Sequence, residues 1–225
     1  DGNIILTDPV FSRRASPLPF LGPQRKTPPV LSVEQLHQLD AVVISHNHYD
    51  HLDDATIRRI LKRFPDVCCF VPLGLADWFR RRGAKRVVEL DWWQSFTWQG
   101  MTLTAVPAQH WSMRTPWNRN RSLWCGWVME GRHHRFWFSG DTGYSPELLL
   151  IPERLGQIDA AALPIGAYAP RWFMAVHHMD PQSAVALWQQ LGCPLAFPIH
   201  WGVFELADEA LDEPVQELTD TLDNL

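Results

Sequence analysis

Residues 41–53 read AVVISHNHYDHLD, a short apolar run followed by a dense group of ionisable side chains. The apolar run is rich in β-branched residues, which is typical of a buried strand, and the residues after Asp53 have the apolar spacing of a helix. The ionisable group therefore lies on the turn between a strand and a helix, where loop side chains converge on a cleft. Its members are His46, His48, Asp50 and His51.

This group has the composition of a metal site. His46 and His48 are two residues apart, so their side chains point to the same side of an extended segment. Asp50 and His51 follow the turn of the chain and face a second point nearby. Packing does not explain three histidines and an aspartate within six residues, because each buried ionisable group needs its own partner. The spacing H-x-H-x-D-H predicts two adjacent metal ions. Zn²⁺ is the expected metal, with manganese or iron as alternatives.

Two metal ions need more ligands than this stretch supplies. Three further candidates each follow a predicted strand: His110, Asp141 and His200. Asp141 lies in the segment SGDTG at 139–143, where glycines let the backbone approach an ion closely. A histidine after a strand is often structural, so each residue alone is weak evidence. Beside a site that is short of ligands, the three are expected to complete it.

The predicted elements follow an α/β order. Strand and helix patterns alternate through residues 1–90, with a short helix predicted from Ser32 through Leu39. Two β-hairpins are predicted within residues 95–139. Alternation resumes over residues 145–222, where a helix is predicted from Ser145 through about Leu155. The chain has neither an internal repeat nor a visible linker, so we expect one domain over residues 1–225.

Composition limits the classes of partner and the location. The net charge of −5 gives no general basic field, which argues against a nucleic-acid partner. Four cysteines lie in or beside apolar runs without C-x-x-C spacing, which predicts buried thiols in a reducing compartment. No apolar run reaches the length of a transmembrane helix, and no signal peptide is visible, although the chain begins at Asp1. We expect a cytoplasmic protein, or one bound peripherally at the inner face of the membrane.

Several of the twelve tryptophans fall in predicted loops, and within residues 111–124 they alternate with arginines. Aromatic and basic side chains in one loop are typical of a segment that holds an acyl chain and a phosphate at a membrane interface. Hydrophobic packing beneath a long loop is the alternative.

The ligand pattern resembles that of the metallo-β-lactamase superfamily over nearly the whole chain. The resemblance implies a four-layer αββα sandwich with two metal ions at the strand ends. It implies three ligands for the first ion, three for the second and one shared carboxylate: His46, His48 and His110; Asp50, His51 and His200; and Asp141. The β-lactamases of the superfamily have a cysteine where Asp141 stands, which argues against β-lactam hydrolysis.

A narrower resemblance, to the N-acylphosphatidylethanolamine-hydrolysing phospholipase D family and its bacterial relatives, comes from the flanking segments. They are TDPVFS (7–12), SHNHYDHLD (45–53), NRSLW (120–124), SGDTGY (139–144), GAYAPRWFM (166–174) and IHWG (199–202). That family has a histidine near the metals before an Asp-Pro helix start, and His178 matches it. The family's usual first strand has no counterpart ahead of Asp1, so we expect the N-terminal edge strand to be missing from this chain.

The resemblance implies a zinc-dependent phosphodiesterase of phospholipase D type, acting on N-acyl phospholipids or related phosphodiesters. A hydroxide that bridges the two ions would attack the phosphorus. Asp50 and Asp141 would act with the ions, and His178 would protonate the leaving alkoxide or bind the phosphate; a purely structural histidine is the alternative. A lactonase or esterase of the same superfamily and a non-catalytic metal-binding scaffold stay open. The expected partner is a small-molecule or phospholipid substrate, and a homodimer is an open alternative.

Overall fold

The computed structural model describes residues 2–225, which form two β-sheets flanked by helices. The first sheet has four strands in the order β1-β2-β3-β4, all parallel. They are β1 (Ile5–Thr7), β2 (Ala41–Val43), β3 (Cys68–Pro72) and β4 (Arg86–Leu90).

The second sheet has six strands in the order β10-β9-β8-β7-β6-β5. They are β5 (Ser95–Trp98), β6 (Met101–Val106), β7 (Gly126–Glu130), β8 (Arg135–Phe138), β9 (Ala160–Pro164) and β10 (Leu195–Ile199). The pairs from β5 to β8 are antiparallel, as predicted for two hairpins, whereas β8, β9 and β10 are parallel. Strands β6, β8, β9 and β10 therefore run in one direction and end at one edge of the sheet.

Within residues 2–225, six α-helices lie among these strands: α1 (Asp54–Arg63), α2 (Ala76–Arg80), α3 (Leu150–Leu155), α4 (Arg171–Met174), α5 (Pro181–Leu191) and α6 (Glu213–Asp223). Asp53 caps the N-terminus of helix α1, and its side chain accepts a hydrogen bond from the amide of Ala55. Asp180 caps helix α5 in the same way: its side chain accepts from the amide of Ser183, and Pro181 occupies the first helical position. No helix in the described part of the chain combines the length and the apolar character that crossing a membrane requires.

Successive side chains of β2 point to opposite faces of the first sheet, which shows how the layers are arranged. Val42 belongs to the buried cluster that contains α1 and α2, whereas Ala41 and Val43 face the second sheet. A separate cluster packs α3 and α5 on the outer face of the second sheet. The order of layers is thus helix, sheet, sheet, helix, and the predicted αββα sandwich is confirmed. The four cysteines are buried free thiols, as predicted.

Local differences from the prediction lie at helix ends. The helix predicted from Ser32 to Leu39 is a single 3₁₀ turn, Val33–Gln35. The turn ends at Leu36, whose backbone is extended (ψ 122°), and the Leu36 carbonyl accepts from the Arg63 guanidinium instead of a following amide. The helix predicted from Ser145 begins as a 3₁₀ turn, Pro146–Leu149, before α3, a common tightening at helix N-termini.

Candidate metal centre

The seven predicted ligands meet at the carboxyl ends of parallel strands. They come from four loops, which follow β2, β6, β8 and β10: His46, His48, Asp50 and His51; His110; Asp141; and His200. The direction of the strands explains this convergence, because parallel strands deliver the loops that follow them to the same edge. The structure leaves none of the seven outside the site.

Three histidines form the first group. His46 Nε2 lies 2.8 Å from His48 Nδ1, and His110 Nε2 lies 3.2 Å from the same atom. Two nitrogens bound to one tetrahedral Zn²⁺ at about 2.0–2.1 Å would lie about 3.3 Å apart. The three ring nitrogens therefore converge on a point at a spacing close to that of a metal ligand set.

The second group combines two carboxylates and two imidazoles. Asp50 Oδ2 lies 3.3 Å from His51 Nε2 and 3.3 Å from His200 Nε2. Asp141 Oδ2 lies 3.0 Å from His51 Nε2 and 3.3 Å from His200 Nε2. The four ligand atoms lie within 4.8 Å of one another.

Asp141 also faces the first group. Its Oδ2 atom is 3.8 Å from His110 Nε2 and 3.9 Å from His46 Nε2. One carboxylate oxygen thus lies between two sets of ligand atoms. This is the arrangement expected of a carboxylate shared by two ions.

Asp8, at the end of β1, orients ligands of both groups. Asp8 Oδ2 accepts from His51 Nδ1 at 2.6 Å and from the hydroxyl of Ser45. Ser45 Oγ in turn lies 2.8 Å from His46 Nδ1. Because the hydroxyl donates to Asp8, it accepts from His46 Nδ1, which leaves Nε2 of His46 unprotonated and directed into the site. The relay through Ser45 was not predicted, since nothing local in the sequence pairs it with Asp8.

Backbone contacts orient two other ligands. His110 Nδ1 donates to the carbonyl of His177 at 3.0 Å, so its Nε2 is free to bind. His200 has a positive φ of 60°. A Cβ atom on Gly166 would collide with the carbonyl oxygen of His200, so only glycine permits this close approach.

Burial keeps the first group neutral. It lowers the pKa of His46 and of His110 well below the usual value and lowers the pKa of His48 to about 4. At neutral pH these rings carry lone pairs, which is the state that binds a cation.

Charge pairing dominates the second group. Burial opposes ionisation of His51, yet the Asp141 and Asp50 carboxylates hold the pKa of His51 well above its usual value. Burial likewise opposes charge on Asp141, but His200 and His51 hold the pKa of that carboxyl well below its usual value. Protons on the imidazoles thus balance the carboxylates, and a cation that takes their place would release them.

Buried atoms of the site fit a bound cation. Asp141 Oδ1 is buried and makes no hydrogen bond within residues 2–225. Leaving such groups unpaired is costly, and coordination would remove that cost. A ligand set of five imidazoles and two carboxylates suits Zn²⁺, and it also suits manganese and iron.

A cleft of about 410 Å³ opens onto the two groups. Its polar wall contains His48, Asp50, Asp141 and His178, and its apolar wall contains Trp111, Met113, Pro116 and Met174. His178 Nδ1 lies 4.0 Å from Asp141 Oδ2 and makes no hydrogen bond within the described residues. His178, which precedes the Asp-Pro start of α5, therefore lies beside the ligands and faces the cleft.

Comparisons with known proteins agree with this geometry. Residues 3–201 match the family described as "Beta-lactamase superfamily domain". N-acyl-phosphatidylethanolamine-hydrolyzing phospholipase D 1 of Caenorhabditis elegans is 42% identical over 234 residues, which cover 99% of this chain and 66% of that protein. The mitochondrial N-acyl-phosphatidylethanolamine-hydrolyzing phospholipase D of Saccharomyces cerevisiae is 33% identical over 225 residues, covering 97% of this chain and 48% of that protein. The chain thus spans about half to two thirds of the length of these relatives.

The fold also has solved counterparts. The crystal structure of a possible metal-dependent hydrolase from Veillonella parvula matches with a TM-score of 0.78 at 18% identity, covering 99% of this chain and 88% of that one. The two resemblances that the sequence motifs indicated are confirmed by these relatives. The chain belongs to the beta-lactamase superfamily domain family and has the metallo-β-lactamase fold.

Proposed function

We propose that this chain is a zinc-dependent hydrolase of phosphodiesters, of phospholipase D type, whose substrates are N-acyl phospholipids or related lipids. The observation that carries the proposal is the position of Asp141. A single atom of this residue, Oδ2, faces both groups of ligand atoms. The worm and yeast relatives, both N-acyl-phosphatidylethanolamine-hydrolyzing phospholipases D, support the substrate class.

In this proposal two ions are held by seven side chains, with three ligands each and one shared: His46, His48 and His110; Asp50, His51 and His200; and Asp141. When bound, such ions polarise a phosphoryl oxygen and lower the pKa of a water molecule to about 7. Asp50 borders the cleft and, because His51 and His200 hold its pKa well below the usual value against the effect of burial, is ionised at neutral pH. Its carboxylate accepts the hydrogen bond that orients the attacking water.

His178 binds the phosphate in this proposal. Burial lowers the pKa of His178 to about 4, so its ring is neutral at pH 7. A neutral imidazole donates one hydrogen bond readily, whereas protonating an alkoxide would require a charged ring. A phosphoryl oxygen in the cleft is therefore the better partner for His178 than the leaving group.

The substitution His178→Ala is expected to lower kcat about 100-fold, within the range for the loss of one positioned hydrogen-bond donor to a reacting group, while the metal content stays unchanged. His178→Gln keeps a donor and should recover part of the loss. His133→Ala, in the exposed turn between β7 and β8, is the matched control. Steady-state kinetics with metal analysis of each variant gives the answer, and full activity of His178→Ala would remove this residue from the mechanism.

The apolar wall of the cleft favours a lipid over a sugar lactone. Trp111, Met113 and Met174 offer large apolar surfaces, which suit an acyl chain better than a hydroxylated sugar ring. Next to the cleft-lining residues Pro116 and Met174, three aromatic side chains are exposed: Trp117 (81%), Trp172 (84%) and Phe173 (61%). Exposed aromatic residues around an opening are typical of proteins that dock onto a lipid surface. This supports peripheral membrane association.

A substrate panel tests the reaction class. Zinc-loaded protein is expected to hydrolyse bis-p-nitrophenyl phosphate and N-acyl phosphatidylethanolamine, with little turnover of lactones or a β-lactam. Presenting the lipid in anionic vesicles should raise the rate above that of a soluble short-chain analogue, because the exposed aromatic residues would bring the cleft to the interface.

The alternatives correspond to different results of the same panel. Lactone hydrolysis without phosphodiesterase activity would identify a lactonase or esterase. Stable metal binding with no turnover of any member would identify a non-catalytic scaffold. Equal rates for vesicle-bound and soluble substrate would contradict docking onto a lipid surface. The proposed phosphodiesterase reaction would be unaffected by that result.

A further inference from the structure

Arg114 lies against the loop that supplies four of the seven ligands, and no role in the proposed reaction uses it. Its Nη1 atom donates to the carbonyl of Asn47 at 3.0 Å and to the carbonyl of Leu52 at 2.5 Å. These two carbonyls flank residues 48–51, which contain three ligands. A single guanidinium nitrogen therefore joins the two ends of the ligand-bearing turn.

The guanidinium is fixed from its other sides as well. It stacks on the ring of Tyr49 at 4.1 Å and lies 5.5 Å from the ring of Trp78 on α2. The hydroxyl of Tyr49 donates back to the carbonyl of Arg114 at 2.7 Å. A planar cation held between two rings and two carbonyls has little freedom to move, so it can define the shape of the turn.

The loop that carries Arg114 is itself rigidly built. Asn118 Oδ1 accepts from the amides of Arg114 and Thr115 at 2.9 and 2.8 Å. Ser122 Oγ accepts from the side chain of Asn47 at 3.0 Å, and the Ser122 carbonyl accepts from Ser112. This loop follows His110 directly, so it connects a ligand of the second sheet to the ligand turn of the first.

We infer that Arg114 is a positioning residue that holds the ligand turn of residues 48–51 in its metal-binding shape before any ion arrives. The inference rests on the metal site of the proposed function and adds the means by which that site is preorganised. Without the guanidinium the turn would gain conformational freedom in the metal-free protein, and binding an ion would have to remove that freedom. Partners outside the ligand set commonly change metal affinity about 10–100-fold.

Arg114 also borders the cleft, so its rival role is a direct contact with a substrate phosphate. The two roles give opposite results. A positioning residue changes metal retention and leaves the KM of the zinc-saturated protein nearly unchanged. A substrate-binding residue raises KM for phosphodiesters and leaves metal retention unchanged.

The test compares zinc release to a chromogenic chelator from Arg114→Gln, Arg114→Lys and Tyr49→Phe proteins. Arg63→Gln is the matched control, because Arg63 also donates to a backbone carbonyl and lies over an aromatic ring, but away from the site. The zinc dissociation constant of Arg114→Gln is expected to be at least about 10-fold higher than that of the wild type. Arg114→Lys keeps a charged donor and should restore part of the affinity, and Tyr49→Phe should show a smaller loss. Circular dichroism of each metal-free variant checks folding.

Retention of zinc by Arg114→Gln and Arg114→Lys at the level of Arg63→Gln, with KM raised, would overturn the inference. If Arg114→Gln fails to fold, the release rates of Arg114→Lys and Tyr49→Phe decide the question in the same way. A wild-type protein that holds no zinc would instead refute the proposed function. The two failures are therefore distinguishable.

Discussion

Replacing Asp141 by asparagine is expected to lower kcat/KM at least about 1,000-fold, which corresponds to about 4 kcal/mol of transition-state stabilisation. Asparagine keeps the shape of the side chain and removes its charge. Asp141 Oδ2 lies between 3.0 and 4.0 Å from ring nitrogens of five histidines, so no other side chain can take its place between the two groups. Without the shared carboxylate, the two ions would also repel each other with less compensation.

The measurement combines kinetics on bis-p-nitrophenyl phosphate with the metal content of purified Asp141→Asn. Asp66→Asn is the control, since Asp66 is an exposed carboxylate that pairs with Lys85 on the surface. We expect the Asp141 variant to retain fewer ions than the wild type and the control to retain the full number. Wild-type turnover and metal content in Asp141→Asn would contradict the bridging role.

Removing the metal is the second change with a large expected effect. A strong chelator should abolish turnover, and Zn²⁺ should restore it. A ligand present at about 1,000 times its dissociation constant stabilises the native state by about 4 kcal/mol. For a chain of this size each kcal/mol shifts Tm by about 2–4 °C, so we expect Tm to fall by about 8–16 °C. The metal-free protein should stay folded, because protons on His51 and His200 balance the carboxylates of the second group.

Calorimetry before and after chelation provides the comparison, with chelator already saturated with Zn²⁺ as the control for direct effects of the reagent. Restoring activity with Mn²⁺ or Fe²⁺ at a level above that given by Zn²⁺ would change the assignment of the native metal. An unchanged Tm together with undiminished turnover would refute a metal requirement altogether.

The sequence predicted the parts of the site that local patterns encode. The strand before His46 and the capped helix after Asp53 are both readable from apolar spacing, so the position of the ligand turn followed directly. His110, Asp141 and His200 were found because each follows a strand of clear pattern. Because those strands run in one direction, all three residues lie at one edge of the sandwich. Their positions directly after strands in the sequence were therefore enough to predict that they meet.

Contacts between distant segments could not be predicted in the same way. The bonds of Asp8 to Ser45 and His51 span 37 and 43 positions, so no local pattern pairs these residues. The bonds from Arg114 to the ligand turn span 62 and 67 positions, and an arginine in a loop usually indicates a solvated surface. Helix α4 is a four-residue helix, which is too short to show a period. Each of these features depends on tertiary packing rather than on local preference.

The most direct test of the account is the number of metal ions per polypeptide in active protein, measured by plasma mass spectrometry on a preparation purified without chelators. The seven converging side chains predict two ions per chain, predominantly zinc, and activity that falls in proportion as they are removed. Full turnover in protein that holds fewer than one ion per chain would contradict the binuclear site and every role assigned to its ligands.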